Sequence, residues 1–361
     1  MLVLVLLVAL VSVLGVVSSF DGPFGGPPPS TPIVLPRDDA FRISPVQWWY
    51  YTGHLFSSAT PSKTFGFEFC FFIVEGVVNL VQVAVTDVEL QTFQYTEDLQ
   101  PEFDLAKMNI TTGTFDLVSQ SGAQVAKGGD GVDTVRFSVG DYSVSLDLQS
   151  TKPPAMHYDG HAHPYAFGGW TYYYSRTSMS AVGTISLQSS GETLPVTGTS
   201  WFDRQWGDLA KAVLQGWQWF AIELADDTQV MLFDFIGDAS EKYGSVTWAN
   251  GTTSNLSGSQ FTVSVLKNWT SPKTGCTYPA QWAVTVLAPD GGGSGGGGSG
   301  SSSSSILSQP LLVTPKVANQ ELRVLDSPTY WEGASYVQDA ATGSDSLGQA
   351  YVELNGFCPK F

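Results

Sequence analysis

Two carboxylates stand inside runs of large apolar residues. Glu68 interrupts Phe65-Gly66-Phe67-Glu68-Phe69-Cys70-Phe71-Phe72, and Asp234 lies in Val230-Met231-Leu232-Phe233-Asp234-Phe235. An unpaired buried charge is costly, so such a carboxyl either faces solvent or sits in a cavity with its pKa raised. The second case supplies a general acid at neutral pH. For Glu68 both placements are open. Asp234 is the leading catalytic candidate. A tight turn at Asp226-Asp227 or Asp227-Thr228 pairs residues 216–224 with 229–236 and puts Asp234 on one face with Trp217, Trp219, Ala221 and Glu223. Its alternatives are a surface Asp or a partner for an Arg.

His54 closes the aromatic strand Gln47-Trp48-Trp49-Tyr50-Tyr51-Thr52-Gly53-His54-Leu55. Alternation places Trp48, Tyr50, Thr52 and His54 on one face and Gln47, Trp49, Tyr51 and Leu55 on the other. His54 is either a general acid/base or a satisfied buried histidine. Among six Arg, two fall in aromatic runs: Arg176 in Trp170-Thr-Tyr-Tyr-Tyr-Ser-Arg-Thr177 and Arg204 in Ser200-Trp-Phe-Asp-Arg-Gln-Trp-Gly207. A guanidinium there stacks on rings and pairs with Asp203, Glu68 or Asp234, either on a seam between barrels or against a substrate. Trp49, Tyr50, Tyr172, Tyr174, Arg176 and Arg204 are the expected substrate-contacting set. The run from His157 to His163 resembles a ligand cluster, with His161 and His163 two apart, but no third ligand is evident beside that pair and Gly160 and Pro164 make the segment a loop, so no metal is expected.

These residues need a β scaffold. Short runs alternate with period two between Gly, Asn, Asp and Ser clusters: residues 47–56, 64–73, 79–88, 134–137, 143–148, 170–177, 184–187, 196–202, 216–224, 229–236, 261–266, 281–287 and 350–354. So many strands indicate an all-β chain of two barrels. The two halves are loosely alike. QWWYYTGHL is followed by FGFEFCFF in the first, and GWQWFAIEL by QVMLFDF in the second, which suggests a duplication.

Of 361 residues, 33 are acidic and 16 basic, for a net charge of −17. The basic residues are scattered, which excludes a nucleic-acid surface. The absence of GxSxG, HExxH and phosphate or dinucleotide loops argues against serine-hydrolase, zinc-protease, phosphoryl and hydride chemistry, and no cofactor is expected.

Residues 1–19 read as a secretory signal peptide, with an uncleaved anchor as the rival reading. Residues 20–39 read as a Pro/Gly-rich linker, and 290–305 as a flexible Gly/Ser loop. Sequons at Asn109, Asn250, Asn255 and Asn268 agree with a secreted glycoprotein. After signal cleavage no membrane span is expected, and the oligomeric state is open. Of three cysteines, Cys70 reads as a buried thiol, while Cys276 and Cys358 are free to pair or not.

The segments QWWYYTGHL, FGFEFCFF, KPPAMHYDG, YYYSRTSMSAVGTISL, GTSWFDRQWGD, GWQWFAIELADDTQVMLFDF, YWEGASY and GQAYVELNGF occur in this order. Together they resemble the AttH/carotenoid 1,2-hydratase family over residues 40–361. The resemblance implies two consecutive lipocalin-like antiparallel barrels, 40–207 and 208–361. It implies a bulky apolar substrate, isoprenoid, prenylated or polyketide-like, that is hydrated or cyclised in an aromatic-lined cavity. Secreted kievitone hydratase-type proteins are similar. Asp234 and Trp219 match the family's acid and tryptophan, with Trp217 and Leu232 in place of its His and Tyr. A non-catalytic carrier of a hydrophobic ligand and a structural glycoprotein are the rival readings.

Overall fold

The computed structural model describes residues 27–57, 63–74, 78–100, 109, 111–209, 216–237, 241–287, 306–323, 329–343 and 346–358. The expected signal segment 1–19 and the Gly/Ser stretch 290–305 lie outside the described residues. Among the described residues no helix is long and apolar enough to cross a membrane.

The strands of the described residues form two antiparallel sheets. The first contains β1 (Val46–Ser57), β2 (Thr64–Val74), β3 (Val78–Asp87), β4 (Thr92–Gln100), β5 (Phe115–Val118), β6 (Val125–Gly128), β7 (Val132–Val139), β8 (Tyr142–Ser150), β9 (Ala155–Met156), β10 (His163–Pro164), β11 (Trp170–Leu187) and β12 (Thr193–Asp208). Its order is β4-β3-β2-β1-β12-β11-β8-β7-β6-β5, with β9 and β10 paired to β11. The second contains β13 (Trp217–Leu224), β14 (Gln229–Phe235), β15 (Lys242–Thr247), β16 (Thr253–Ser257), β17 (Phe261–Thr270), β18 (Thr277–Val286), β19 (Leu311–Pro315), β20 (Glu321–Arg323), β21 (Thr329–Asp339) and β22 (Ser346–Asn355). Its order is β16-β15-β14-β13-β22-β21-β19-β18-β17, with β20 paired to β21. Each sheet curls into a half-barrel, the all-β arrangement expected of two lipocalin-like barrels. β1 and β13 hold equivalent places: each pairs with the next strand and with the last strand of its own sheet.

The runs expected at 170–177 and 184–187 form one strand, β11. Its alternation is interrupted where the register against β12 shifts between Arg176 and Met179, as at a β-bulge.

Three cores hold the fold. Trp49, Tyr51, Phe67 and Phe69 fill the first barrel with Phe137 and Phe202. Phe220, Leu232, Trp282 and Trp331 fill the second with Val352 and Leu354. The third core lies between the sheets and contains Tyr50, Trp201, Trp219, Phe233, Phe235 and Tyr351. β1, β2, β13 and β14 are therefore covered on both faces, and their sequences read as nearly continuous aromatic runs. β7 and β8, with one wet face, keep strict alternation. The seam is tight: a Cβ on Gly66 of β2 would come within 2.6 Å of Ala334 Cβ of β21.

The expected 20–39 linker is not free where it is described. The Tyr172 hydroxyl donates to Thr31 O at 2.5 Å, and Asp38 and Asp39 are buried.

Candidate active site between the two sheets

The hairpin of β13 and β14 sets which carboxylate faces the aromatic seam. Leu224 N donates to Thr228 O, so the loop has three residues, Ala225, Asp226 and Asp227, with Asp227 left-handed at φ 62°. Trp219 consequently lies opposite Phe233, and Asp234 lies opposite Gln218. The expected facing is corrected by one residue: Asp234 is on the other face from Trp217 and Trp219. The two-residue turn read from the sequence has the opposite parity, and one extra residue flips every side chain. Asp234 instead pairs with Lys242, whose Nζ is 3.1 Å from Oδ2. Burial pushes its pKa up, while Lys242 pulls the other way.

Glu68 takes the placement expected of an acid. It is fully buried on β2, opposite Thr52 of β1, and neither carboxyl oxygen has a hydrogen-bond partner in the protein. Burial pushes it up to about 8, with Glu353 and Glu97 adding to the rise. Glu332 of β21 and Glu353 of β22, which come from the second barrel, are not among the sequence candidates. The Tyr50 hydroxyl donates to Glu332 Oε2 at 2.7 Å across the seam. Burial, then Glu68 and Glu353, holds Glu332 well above the usual carboxylate range. Burial pushes Glu353 up to about 7. Both carry the signal that marked Glu68, a lone acid in an aromatic run: YWEGASY and AYVELNGF.

Aromatic faces adjoin these acids. The Trp219 ring meets Tyr50 edge-on at 5.5 Å and Trp201 at 6.1 Å. Trp201 is opposite Thr52 on β12, and its Nε1 donates to Asp203 Oδ1 at 2.7 Å. Asp203 also accepts from the Tyr173 hydroxyl at 2.6 Å and from Ser175 Oγ at 2.5 Å. Burial lifts it to about 7 despite those donors. Trp219 Nε1 donates to the Tyr173 oxygen at 3.2 Å, so Asp203 and Tyr173 fix both indoles. Two further buried oxygens, Thr52 Oγ1 and the Tyr351 hydroxyl, have no protein partner.

His54 also lies at the seam, with Lys316 Nζ 3.3 Å from its Nδ1. Burial, then Lys316, drives its pKa well below the ordinary imidazole value. That favours the neutral imidazole, with Nδ1 facing the ammonium.

The other expected substrate contacts divide. Tyr50 is at the seam, and Trp217 packs against its core. Trp49, Tyr172 and Tyr174 belong to the first barrel's interior. Arg176 Nη2 bonds both Asp39 oxygens at 3.1 and 3.0 Å, and the Tyr174 hydroxyl donates to Asp39 Oδ1. Arg204 lies 3.8 Å above the Trp49 ring and bonds Ala40 O and Gln47 Oε1, each at 2.8 Å. The expected pairing of these arginines with Asp203, Glu68 or Asp234 is therefore corrected. Both hold residues 39–47 against the first barrel. The histidines disperse too: His157 Nε2 meets Ser175 Oγ, His161 is exposed, and His163 meets Glu241 Oε1 at 2.6 Å. Cys276 and Cys358 form a disulfide, and Cys70 is a buried free thiol.

Residues 27–357 match the AttH-like family. The chain belongs to the AttH-like family. No curated protein matches it by sequence. Solved structures share the fold. An AttH protein from Nitrosomonas europaea is 24% identical, with a TM-score of 0.73 over 91% of this chain and 98% of its own. Kievitone hydratase from Nectria haematococca is 16% identical, with a TM-score of 0.67 over 92% and 97%. CghA, solved with Sch210972, is 9% identical, with a TM-score of 0.51 over 92% and 96%.

Proposed function

We propose that this AttH-like protein is an extracellular acid catalyst that hydrates, or closes a ring in, a bulky apolar small molecule of isoprenoid, prenylated or polyketide-like type. Glu68 carries the reading: a fully buried carboxyl, without a protein partner and held near pKa 8, beside aromatic rings. The names of two fold relatives, a kievitone hydratase and CghA solved with Sch210972, agree with a small-molecule substrate. The Cys276–Cys358 disulfide supports an oxidising, extracytoplasmic setting.

In hydration, the Glu68 hydroxyl gives its proton to the less substituted alkene carbon, and the π pair forms the new C–H bond. The electron-rich faces of Tyr50, Trp201 and Trp219 stabilise the cation left on the more substituted carbon. Water adds there and returns a proton to the Glu68 carboxylate, which restores the acid. In a ring closure, an internal nucleophile takes the place of water and the mass is unchanged. Glu353 adds to the rise of Glu68 and so favours the proton there before transfer.

The test is mass spectrometry of purified protein incubated with lipophilic extracts of its host. A product heavier by one water supports hydration, and an isomer of equal mass supports cyclisation. A bound compound that never changes replaces the enzyme with a carrier.

A further inference from the structure

The seam has a second pole. Lys316, at the end of β19, is buried, and burial pushes its pKa down to about 8. Its Nζ donates to Gln349 Oε1 at 2.5 Å and lies 3.3 Å from His54 Nδ1, with the Tyr336 ring at 5.1 Å. Both polar partners are neutral, and among the described residues no carboxylate forms an ion pair with this ammonium. The carboxylates that raise its pKa, Glu223 and Glu89, act on it through space, and Glu223 is itself pushed up to about 7 by burial. A buried ammonium with two neutral acceptors retains one N–H and most of its charge for something else.

Oxygens without a protein partner lie near this pole and near Glu68. His54 and Thr52 share a face of β1 about 7 Å apart, and Thr52 is opposite Glu68. The Tyr351 ring is 6.2 Å from the His54 ring. The Tyr351 hydroxyl and Thr52 Oγ1 are both buried without a protein partner. Buried polar atoms almost always find a partner in protein, water or ligand. Here the protein supplies none for either oxygen.

We infer that Lys316, seated by His54 and Gln349, is a subsite for an anionic oxygen, so that the protein takes apolar molecules carrying a carboxylate, enolate or phenolate head. This rests on the seam being the site. The head group on Lys316 sets which bond of the apolar body reaches Glu68.

The test uses all-trans-retinoate and all-trans-retinol, which share an isoprenoid body and differ in the head. Binding is read by quenching of protein tryptophan fluorescence at pH 7. The full chain favours retinoate by about tenfold or more, the worth of one partly buried charge pair. Lys316→Met brings the retinoate-to-retinol ratio close to one. Gln349→Glu does the same with the lysine in place, because it neutralises the ammonium where it stands, and it serves if Lys316→Met does not fold. Equal affinity in the unsubstituted protein, or a preference that survives both substitutions, overturns the subsite and leaves the seam site standing. Binding of neither ligand removes the seam as a site for isoprenoid bodies, and the subsite with it.

Discussion

Tyr50 of the first sheet donates its hydroxyl proton to Glu332 of the second at 2.7 Å, and both side chains are buried. This bond ties the aromatic face of β1 to the acid cluster of β21 and β22. It satisfies one oxygen of Glu332, whereas Glu68 has no donor at all. The acids at the seam are therefore unequal. Glu332 is held by its tyrosine, and Glu68 is free to give up a proton.

Stability should fall as pH rises. The folded protein holds Glu68 near pKa 8, against its usual 4.5. Such a group favours the folded state fully below 4.5 and loses that contribution as pH climbs through about 8. Glu332 and Glu353 act in the same direction. The melting temperature is expected to drop by several degrees between pH 5 and pH 9, and Glu68→Gln to flatten that slope. Thermal scans across this range check it. A melting temperature that rises with pH, or a Glu68→Gln slope parallel to the unsubstituted one, contradicts the assignment.

Substituting the two sequence-level candidates should separate them. Glu68→Gln removes the transferable proton and is expected to lower turnover by about 100-fold or more. Asp234→Asn only breaks an ion pair with the part-exposed Lys242, and is expected to leave turnover within about threefold. Rates on the product identified by mass spectrometry decide the point.

The difference between these two residues shows where sequence reasoning stops. That Glu68 and Asp234 are carboxylates in aromatic runs is legible from residue type alone. Whether Asp234 faces the seam depends on one residue of loop length between Leu224 and Thr228, and no local pattern fixes that count. The all-β fold and the equivalence of β1 and β13 are legible because aromatic strands covered on both faces leave continuous runs. Lys316 is not legible: Leu312-Val313-Thr314-Pro315-Lys316 reads as the end of an ordinary strand, and only packing against His54 and Gln349 buries the amine.

The disulfide closes a stretch of chain with a sequence separation of 82 and ties the segment after β22 to the hairpin of β17 and β18. Cys276→Ser is expected to cost roughly 2–4 kcal/mol by chain-entropy arguments. It should not alter the seam, which the bond does not touch. Urea unfolding with and without reductant checks the cost.

Three of the four sequons are open to modification. Asn109, Asn250 and Asn268 are exposed. Asn255 uses both ends of its amide: Nδ2 donates to Asp159 Oδ1 at 2.9 Å, and Oδ1 accepts from Tyr158 N at 3.2 Å. A glycan on Nδ2 would disrupt a contact between the two barrels. Glycopeptide mapping after secretion from a eukaryotic host should find Asn255 bare and the other three occupied.

Acid catalysis at the seam requires Glu68 to carry a proton at neutral pH. Infrared difference spectroscopy between pH 6 and pH 9, on the full chain and on Glu68→Gln, measures that proton. The expected result is a protonated-carboxyl band that disappears with a midpoint near pH 8 and is missing from the Glu68→Gln spectrum. A Glu68 already ionised at pH 6 would contradict the proposal that the seam holds an acid.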